Sequence, residues 1–309
     1  PSLGPLNPNS DLLKTKRVGK ISDYTLSSRP KPSVPEPEPP SNPAPEPPTD
    51  PVDPVEPVDP VDPLDPVDPV TPGKPVPGVD KPVAYLKLDE QKGKIAKDSS
   101  VNGLNNRGAL INTAEWLEQG AKNGAVTLDG KGSGIRLRNS KDINQGIHKQ
   151  RTVSLWFKAD KTAPADKQQV IYEEGGGVRG LNIYLEGDHL CVGGWNRSAQ
   201  QSNWDGTWLK TDNKLSANQW YHVALVLDGG SSVTGGALKG YLNGQEFGEG
   251  EGSQLWSHTG GIGLGTTNRG TRFHNRTVGG GSSLTGAIDE VMIFNDALNG
   301  NEIEALATT

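Results

Sequence analysis

The chain has 309 residues, 25 prolines, 40 glycines, one cysteine and a formal net charge of −6 at pH 7. A lone Cys191 excludes an internal disulfide, and the absence of any run of 18 apolar residues excludes a membrane-spanning helix. The charge is uneven, with six basic and two acidic residues over 1–31, two and eleven over 32–82, and 23 and 24 over 83–309, so nowhere is there a basic field of the size nucleic acid needs.

The chain opens at Pro1 without an initiator methionine, which leads us to expect a processed product. The basic stretch "LLKTKRVGK" suits an acidic surface. Beside it, "VGKISDYTLSS" carries strand formers Val18, Ile21, Tyr24 and Leu26 but no partner strand of its own. Addition to a sheet edge on a neighbouring copy is the expected use of such a segment.

Residues 32–82 hold most of the prolines; only Pro164 lies beyond them and residues 1–31 hold four. From Asp50 to Val70 an acid, a proline and a valine (once a leucine) recur every three residues. Proline fixes φ and forces the preceding residue out of the helical region, so polyproline II is the conformation left. Its threefold screw stacks Asp50, Asp53, Glu56, Asp59, Asp62, Asp65 and Asp68 in one column. Val52, Val55, Val58, Val61, Leu64, Val67 and Val70 form another. Seven turns make a stalk of roughly 65 Å. It is either a solvated spacer or a rod whose apolar stripe docks on another surface.

Residues 83–309 carry strand-like runs: "VAYLKL" (83–88), "GAVTLDG" (124–130), "TVSLWFKA" (152–159), "QVIYEE" (169–174), "LNIYLEG" (181–187), "WYHVALVLD" (220–228), "LKGYLNG" (238–244), "GIGLG" (261–265) and "AIDEVMIF" (287–294). Val153, Leu155 and Phe157 share one face by the period of two, as do Val223, Leu225 and Leu227. Asn243-Gly244 reads as a two-residue hairpin turn. One terminal helix, "NEIEALA", is capped by Asn299 or Asn301 and turns Ile303 and Leu306 to one side. The predicted architecture is all-β: a two-sheet antiparallel jelly-roll sandwich with a short C-terminal helix, preceded by an extended polyproline II tail.

"YLKLDE…DSSVNGLNNRGAL", "GAVTLDG", "TVSLWFKA", "LSANQWYHVALVLDG", "GYLNGQ" and "GAIDEVMIFNDALNGNEIEAL" together resemble the laminin-G-like, concanavalin A-like jelly-roll family. The resemblance runs over nearly all of residues 83–309 and implies two stacked antiparallel sheets. It does not imply one function, because the family includes lectins, adhesion modules, structural appendages and accessory domains of enzymes. In similar domains an aspartate of the first motif helps hold a structural ion, which suggests Ca²⁺ at Asp98, with Asn102 and Asp289 as further oxygen donors. The alternative is that Asp98 caps a turn through its own backbone.

Catalysis is not expected. Asp289 and Glu290 are adjacent on a strand and point to opposite faces, so they cannot form a glycosidase pair. The five histidines show no metal spacing, and His222 reads as a packed strand residue. Two long loops remain. Residues 191–213 hold Trp195, Asn196, Trp204, Asp205 and Trp208, either a ligand or partner surface or a mini-core with its rings turned inward. Residues 265–283 hold Arg269, Arg272 and Arg276. Asn196-Arg-Ser198 and Asn275-Arg-Thr277 are sequons and therefore surface cues.

Two expectations follow. One is a secreted, non-enzymatic subunit of an extracellular filament or appendage, its N-terminal tail docking on neighbouring copies to give a homo-polymer. The other is a stalked lectin-like adhesin whose partner is a cell-surface glycan. Both place the chain outside a bacterial cell.

Overall fold

The computed structural model describes residues 81–100, 105–161, 167–198, 202–268 and 270–308. The anchor and stalk positions expected to assemble (Val18 to Val67), with Asn102 and Arg269, lie outside these residues. The described residues all belong to the second of two compact units, Pro66–Thr309.

Every strand expected within residues 83–309 is present, and they fall into two antiparallel sheets. The first runs in the order Gln245–Gly252, Thr234–Leu242, Trp220–Asp228, Gln150–Ala159, Thr285–Phe294, Ala125–Asp129, Glu115–Leu117, and Ala84–Leu86 also pairs with Thr285–Phe294. The second runs Trp204–Lys210, His189–Asn196, Arg179–Glu186, Gln168–Gly175, Ile262–Leu264, Gly134–Leu137, Gly108–Ile111, Ile95–Ala96. Ser282–Ser283 lies parallel to Gln168–Gly175. Gln150–Ala159 sits between two strands far from it in sequence, the crossover pattern of a jelly roll.

Alternation decides which side chains meet between the sheets. Leu155 opposes Val223 and Val153 opposes Leu225. These four, Phe157 and Leu227 are all buried in one core with Ile171, Leu181, Ile183 and Val192 of the facing sheet. Fully burying one such side chain stabilises by about 1.5–3 kcal/mol.

The run "WYHVALVLD" is apolar on both faces because both are covered. Ala224 and Val226 point away from the facing sheet and pack with Tyr241, Phe294, Leu298, Ile303 and Leu306. The last two belong to the helix Gly300–Thr308. Asn299 Oδ1 accepts from the Asn301 and Glu302 amides, and Glu302 Oε2 accepts from the Asn299 amide, so Asn299 is the cap. Asn243 and Gly244 have φ of 50° and 83°, as the hairpin turn requires. No helix among the described residues is long and apolar enough to cross a membrane.

Candidate functional site

The tryptophan segment is a hairpin rather than a free loop. His189–Asn196 and Trp204–Lys210 pair antiparallel, with Gly193 opposite Trp208. Trp204 turns into the main core. Trp195 is fully buried, stacks on Trp208 with centroids 6.0 Å apart, and donates its Nε1–H to the Gly176 carbonyl at 2.8 Å. The rings need room that only glycine leaves: a Cβ on Gly193 would lie 2.2 Å from Trp208, and one on Gly206 would lie 2.3 Å from it. The expectation of an open tryptophan platform is therefore corrected for Trp195 and Trp204. Asn196 is buried as well, donating to Ser202 and the Gln254 carbonyl, so its sequon is no surface cue. Asn275 is exposed.

Residues of the second long loop fold back over the outer face of the second sheet. The Arg272 carbonyl accepts from Trp208 Nε1 at 3.2 Å and from Asn182 Nδ2 at 2.8 Å, and its guanidinium lies 5.9 Å from the Trp208 ring centroid. Phe273 packs there with Val170, Tyr184 and Cys191. Asp205 draws the cations together: Arg197 at 3.0 Å, Arg276 at 3.4 Å and Arg272 at 3.6 Å. Sequence reasoning brought Asp205, Arg272 and Arg276 into view but missed Arg197. The knot fastens the loop to the sheet, and Arg272 is 4% exposed.

The aspartates named for calcium are occupied by backbone. Asp98 Oδ1 accepts from the Tyr85 and Ser100 amides, each at 3.0 Å, and Oδ2 accepts from Asn106 at 2.8 Å. Asp289 accepts from the Lys122 and Glu290 amides at 2.9 and 2.8 Å. Burial pushes its pKa up to about 7, which favours a proton over a free carboxylate. Three amide protons on Asp98 leave it a poor cation donor, and no group of three or more His, Cys, Asp or Glu that would hold an ion occurs among the described residues. The visible role of Asp98 and Asp289 is turn closure, while Asn102 lies outside the described residues.

His222 is a packed strand residue, 1% exposed, with Nε2 2.8 Å from Ser154 Oγ, and burial pushes its pKa down to about 4. Glu290 sits at an irregularity in the strand, with φ 50°, and its Oε2 accepts from Tyr85 Oη. Asp289 and Glu290 are both buried, at 0% and 5% exposure.

One open hollow of about 560 Å³, lined by Asp228, Lys239, Tyr241, Glu246 and Glu304, lies between the first sheet and the C-terminal helix. A donor-rich one without acids lies on the second sheet. In "GIRLR", Ile135 and Leu137 enter the core, so Arg136 and Arg138 project outward and are exposed. Gly108–Ile111 pairs with this strand, placing Ala109 opposite Arg136 and Gly108 opposite Leu137. Arg107, one residue further, is exposed too. On the other flank Gly263 opposes Arg136 and contributes no side chain. Two adjoining hollows of about 270 and 570 Å³ share Ala109, Arg136, Arg138 and Asn139, and make one groove. Asn105, Asn268, Thr259 and the Gly260–Gly261 backbone complete its polar wall, and no carboxylate lines it.

A family profile described as the concanavalin A-like lectin/glucanases superfamily matches residues 129–304. Among solved structures, the chain is similar to domain 4 of AbnA, a GH43 extracellular arabinanase from Geobacillus stearothermophilus, in complex with arabinotriose. That match has 20% identity and a TM-score of 0.52, and covers 74% of this chain and 98% of that one. It is also similar to the botulinum neurotoxin serotype D binding domain (15% identity, TM-score 0.53) and to the binding domain of Paraclostridial Mosquitocidal Protein 1 (17%, 0.51). Each covers 74% of this chain, and the match spans 51% and 52% of those chains. At these identities the likeness concerns the fold. No curated protein sequence matches.

Proposed function

We propose that this chain, which belongs to the concanavalin A-like lectin/glucanases superfamily, is a non-catalytic glycan-recognition module carried outside the cell on an acidic, proline-rich segment. One observation carries the reading: the groove around Arg136 and Arg138 is lined by planar donors and bare backbone, with no acid. Sugars are gripped by such fixed hydrogen-bonding groups beside apolar surface, and Ile95, 44% exposed at the groove rim, supplies the apolar part. Hydrolysis through paired carboxylates requires two acids flanking the bond, and this groove offers neither.

The test is a polysaccharide panel in native affinity electrophoresis with the full chain, followed by an assay for new reducing ends. Retardation by at least one polymer without release of reducing ends supports the reading. Absence of retardation across the panel defeats the binding role, and release of reducing ends defeats the non-catalytic one.

A second reading rests on the acid–proline–valine repeat, which gives the stalk a regular apolar column beside its acidic one. On that reading the segment before the jelly roll docks on neighbouring copies and the chain is a filament or appendage subunit.

A further inference from the structure

We infer that the groove takes an anionic sugar, with a carboxylate or sulfate held between Arg136, Arg138 and Arg107. This rests on the glycan-binding reading and narrows it to a substrate class.

Parity puts the three guanidinium groups on one face. Arg136 and Arg138 are two residues apart on one strand, so their Cα atoms lie roughly 6.5–7 Å from each other. Arg107 leaves the neighbouring strand next to Gly108, whose partner is Leu137. Between them the floor is low, with Ala109 on one side of Arg136 and Gly263 on the other. None of the three makes an ion pair or a hydrogen bond among the described residues, whereas Arg151, Arg179, Arg197, Arg272 and Arg276 all do.

Electrostatics then selects the ligand. Residues 83–309 carry a net charge of only −1, so three cations in a groove whose lining holds no carboxylate are a local departure from the surface average. The one carboxyl that senses Arg136, Glu173 beyond Gly263, is buried and has its pKa pushed up to about 8, which keeps it largely protonated at neutral pH. Like charges this close repel, and an anion relieves them. A guanidinium fork matches the two oxygens of a carboxylate or sulfate and gives charge-assisted bonds about twice as strong as neutral ones. Asn105 and Asn139 stand beside the forks to bond hydroxyl groups. A free anion has no use for the exposed Ile95 face or the length of the groove; a sugar ring bearing an acid uses both.

The experiment is affinity electrophoresis of the full chain with dextran, dextran sulfate, polygalacturonate and polyglutamate. The variant is Arg136→Gln/Arg138→Gln, whose side chains are exposed, checked to melt with the parent. Dextran sulfate or polygalacturonate should retard the parent, and which of them does so separates sulfate from carboxylate. The double variant should bind at least tenfold more weakly, and raising salt from 50 to 300 mM should weaken the parent as the Debye length contracts. Retardation by neutral dextran that the variant keeps overturns the anionic assignment but leaves the glycan reading standing. Equal retardation by polyglutamate overturns it as well, because the groove would then be reading charge without sugar. If none of the sugar polymers retards the chain, the anionic assignment falls; the wider panel then decides the glycan reading separately.

Discussion

Arg151 Nε and Glu174 Oε1 lie 3.9 Å apart inside the sandwich, and neither side chain has any solvent exposure. Arg151 also donates to Asn295 Oδ1 at 2.8 Å and to the Ile143 carbonyl, so the cation is held by three elements at once. Glu174 has the arginine as its one ion-pair partner among the described residues, with the buried Tyr172 hydroxyl as its neighbour. Removing one member leaves the other charge buried and unpaired, which costs about 3–5 kcal/mol, whereas replacing both with apolar groups is often neutral. Glu174→Leu is therefore expected to lower the urea midpoint severely, and Arg151→Met/Glu174→Leu to recover most of the loss. A double variant as unstable as the single one would show that the pair is not the relevant unit.

Buried acids and buried imidazoles give stability a defined pH course. Burial pushes Glu173 up to about 8, against which the Asn268 amide on its Oε2 works only in part, and pushes Asp289 up to about 7. Their folded values lie above the unfolded ones near 4, so their contribution is complete below pH 4 and is lost as pH rises through 7 and 8. Burial pushes His148 down to about 3 and His222 down to about 4. Their contribution is present above the unfolded value of about 6.5 and is lost as pH falls. The two trends oppose each other between roughly pH 4 and 6.5. Above that only the acids remain, and each adds a slope of up to about 1.4 kcal/mol per pH unit. Unfolding free energy should fall between pH 6.5 and 8, and Glu173→Gln should flatten the decline. An unchanged slope in the variant would place the ionisation elsewhere.

The core strands were legible because their period is local: Val153, Leu155 and Phe157 alternate within one segment, and their burial follows. Edge strands were not. The hairpin turn at Asn243-Gly244 implies a strand after it, but "QEFGEGEG" has no apolar alternation to give its length, and Gln245–Gly252 is a full strand because it needs partners on one side only. The tryptophan segment read equally as a surface or an inward mini-core for a related reason. What lets Trp208 lie half-buried on the buried Trp195 is the emptiness at Gly193 and Gly206 across the hairpin, which appears only once register is known. Of the groove, "IRLR" is readable as a strand with two outward arginines. That Arg107 joins them depends on the pairing of Gly108–Ile111 with Gly134–Leu137, which no local pattern encodes.

The C-terminal helix is expected to act as a lid on the first sheet, separable from the groove. Ile303 is fully buried against the cluster of Ala224, Val226, Tyr241 and Phe294. Ile303→Ala should cost about 2–5 kcal/mol, and Asn299→Ala about 1 kcal/mol through loss of the cap. Thermal melts measure both, and polysaccharide retardation below the melt should stay at the parental level. Loss of retardation in the folded Asn299→Ala protein would tie the lid to the site and count against a groove confined to the second sheet.

The last prediction concerns the segment that precedes the jelly roll. Seven acid–proline–valine triplets are expected from their sequence to form a stiff connector of roughly 65 Å, and a stiff connector favours one separation where a flexible one samples many. Half-burying seven Val or Leu side chains would contribute on the order of 5 kcal/mol before ordering costs, and a chain already extended has less entropy to lose. Strand formers Val18, Ile21, Tyr24 and Leu26 sit at the far end of that connector. Deleting residues 1–31 should therefore abolish concentration-dependent assembly, seen by analytical ultracentrifugation, while leaving groove binding and the melting temperature unchanged. Unaltered assembly in the truncated chain, or a strictly monomeric parent at high concentration, would reduce the stalk to a spacer that presents the groove. Loss of both assembly and binding would mean instead that the groove is completed by a second copy, a result that the acid-free lining and the independent core of the sandwich argue against.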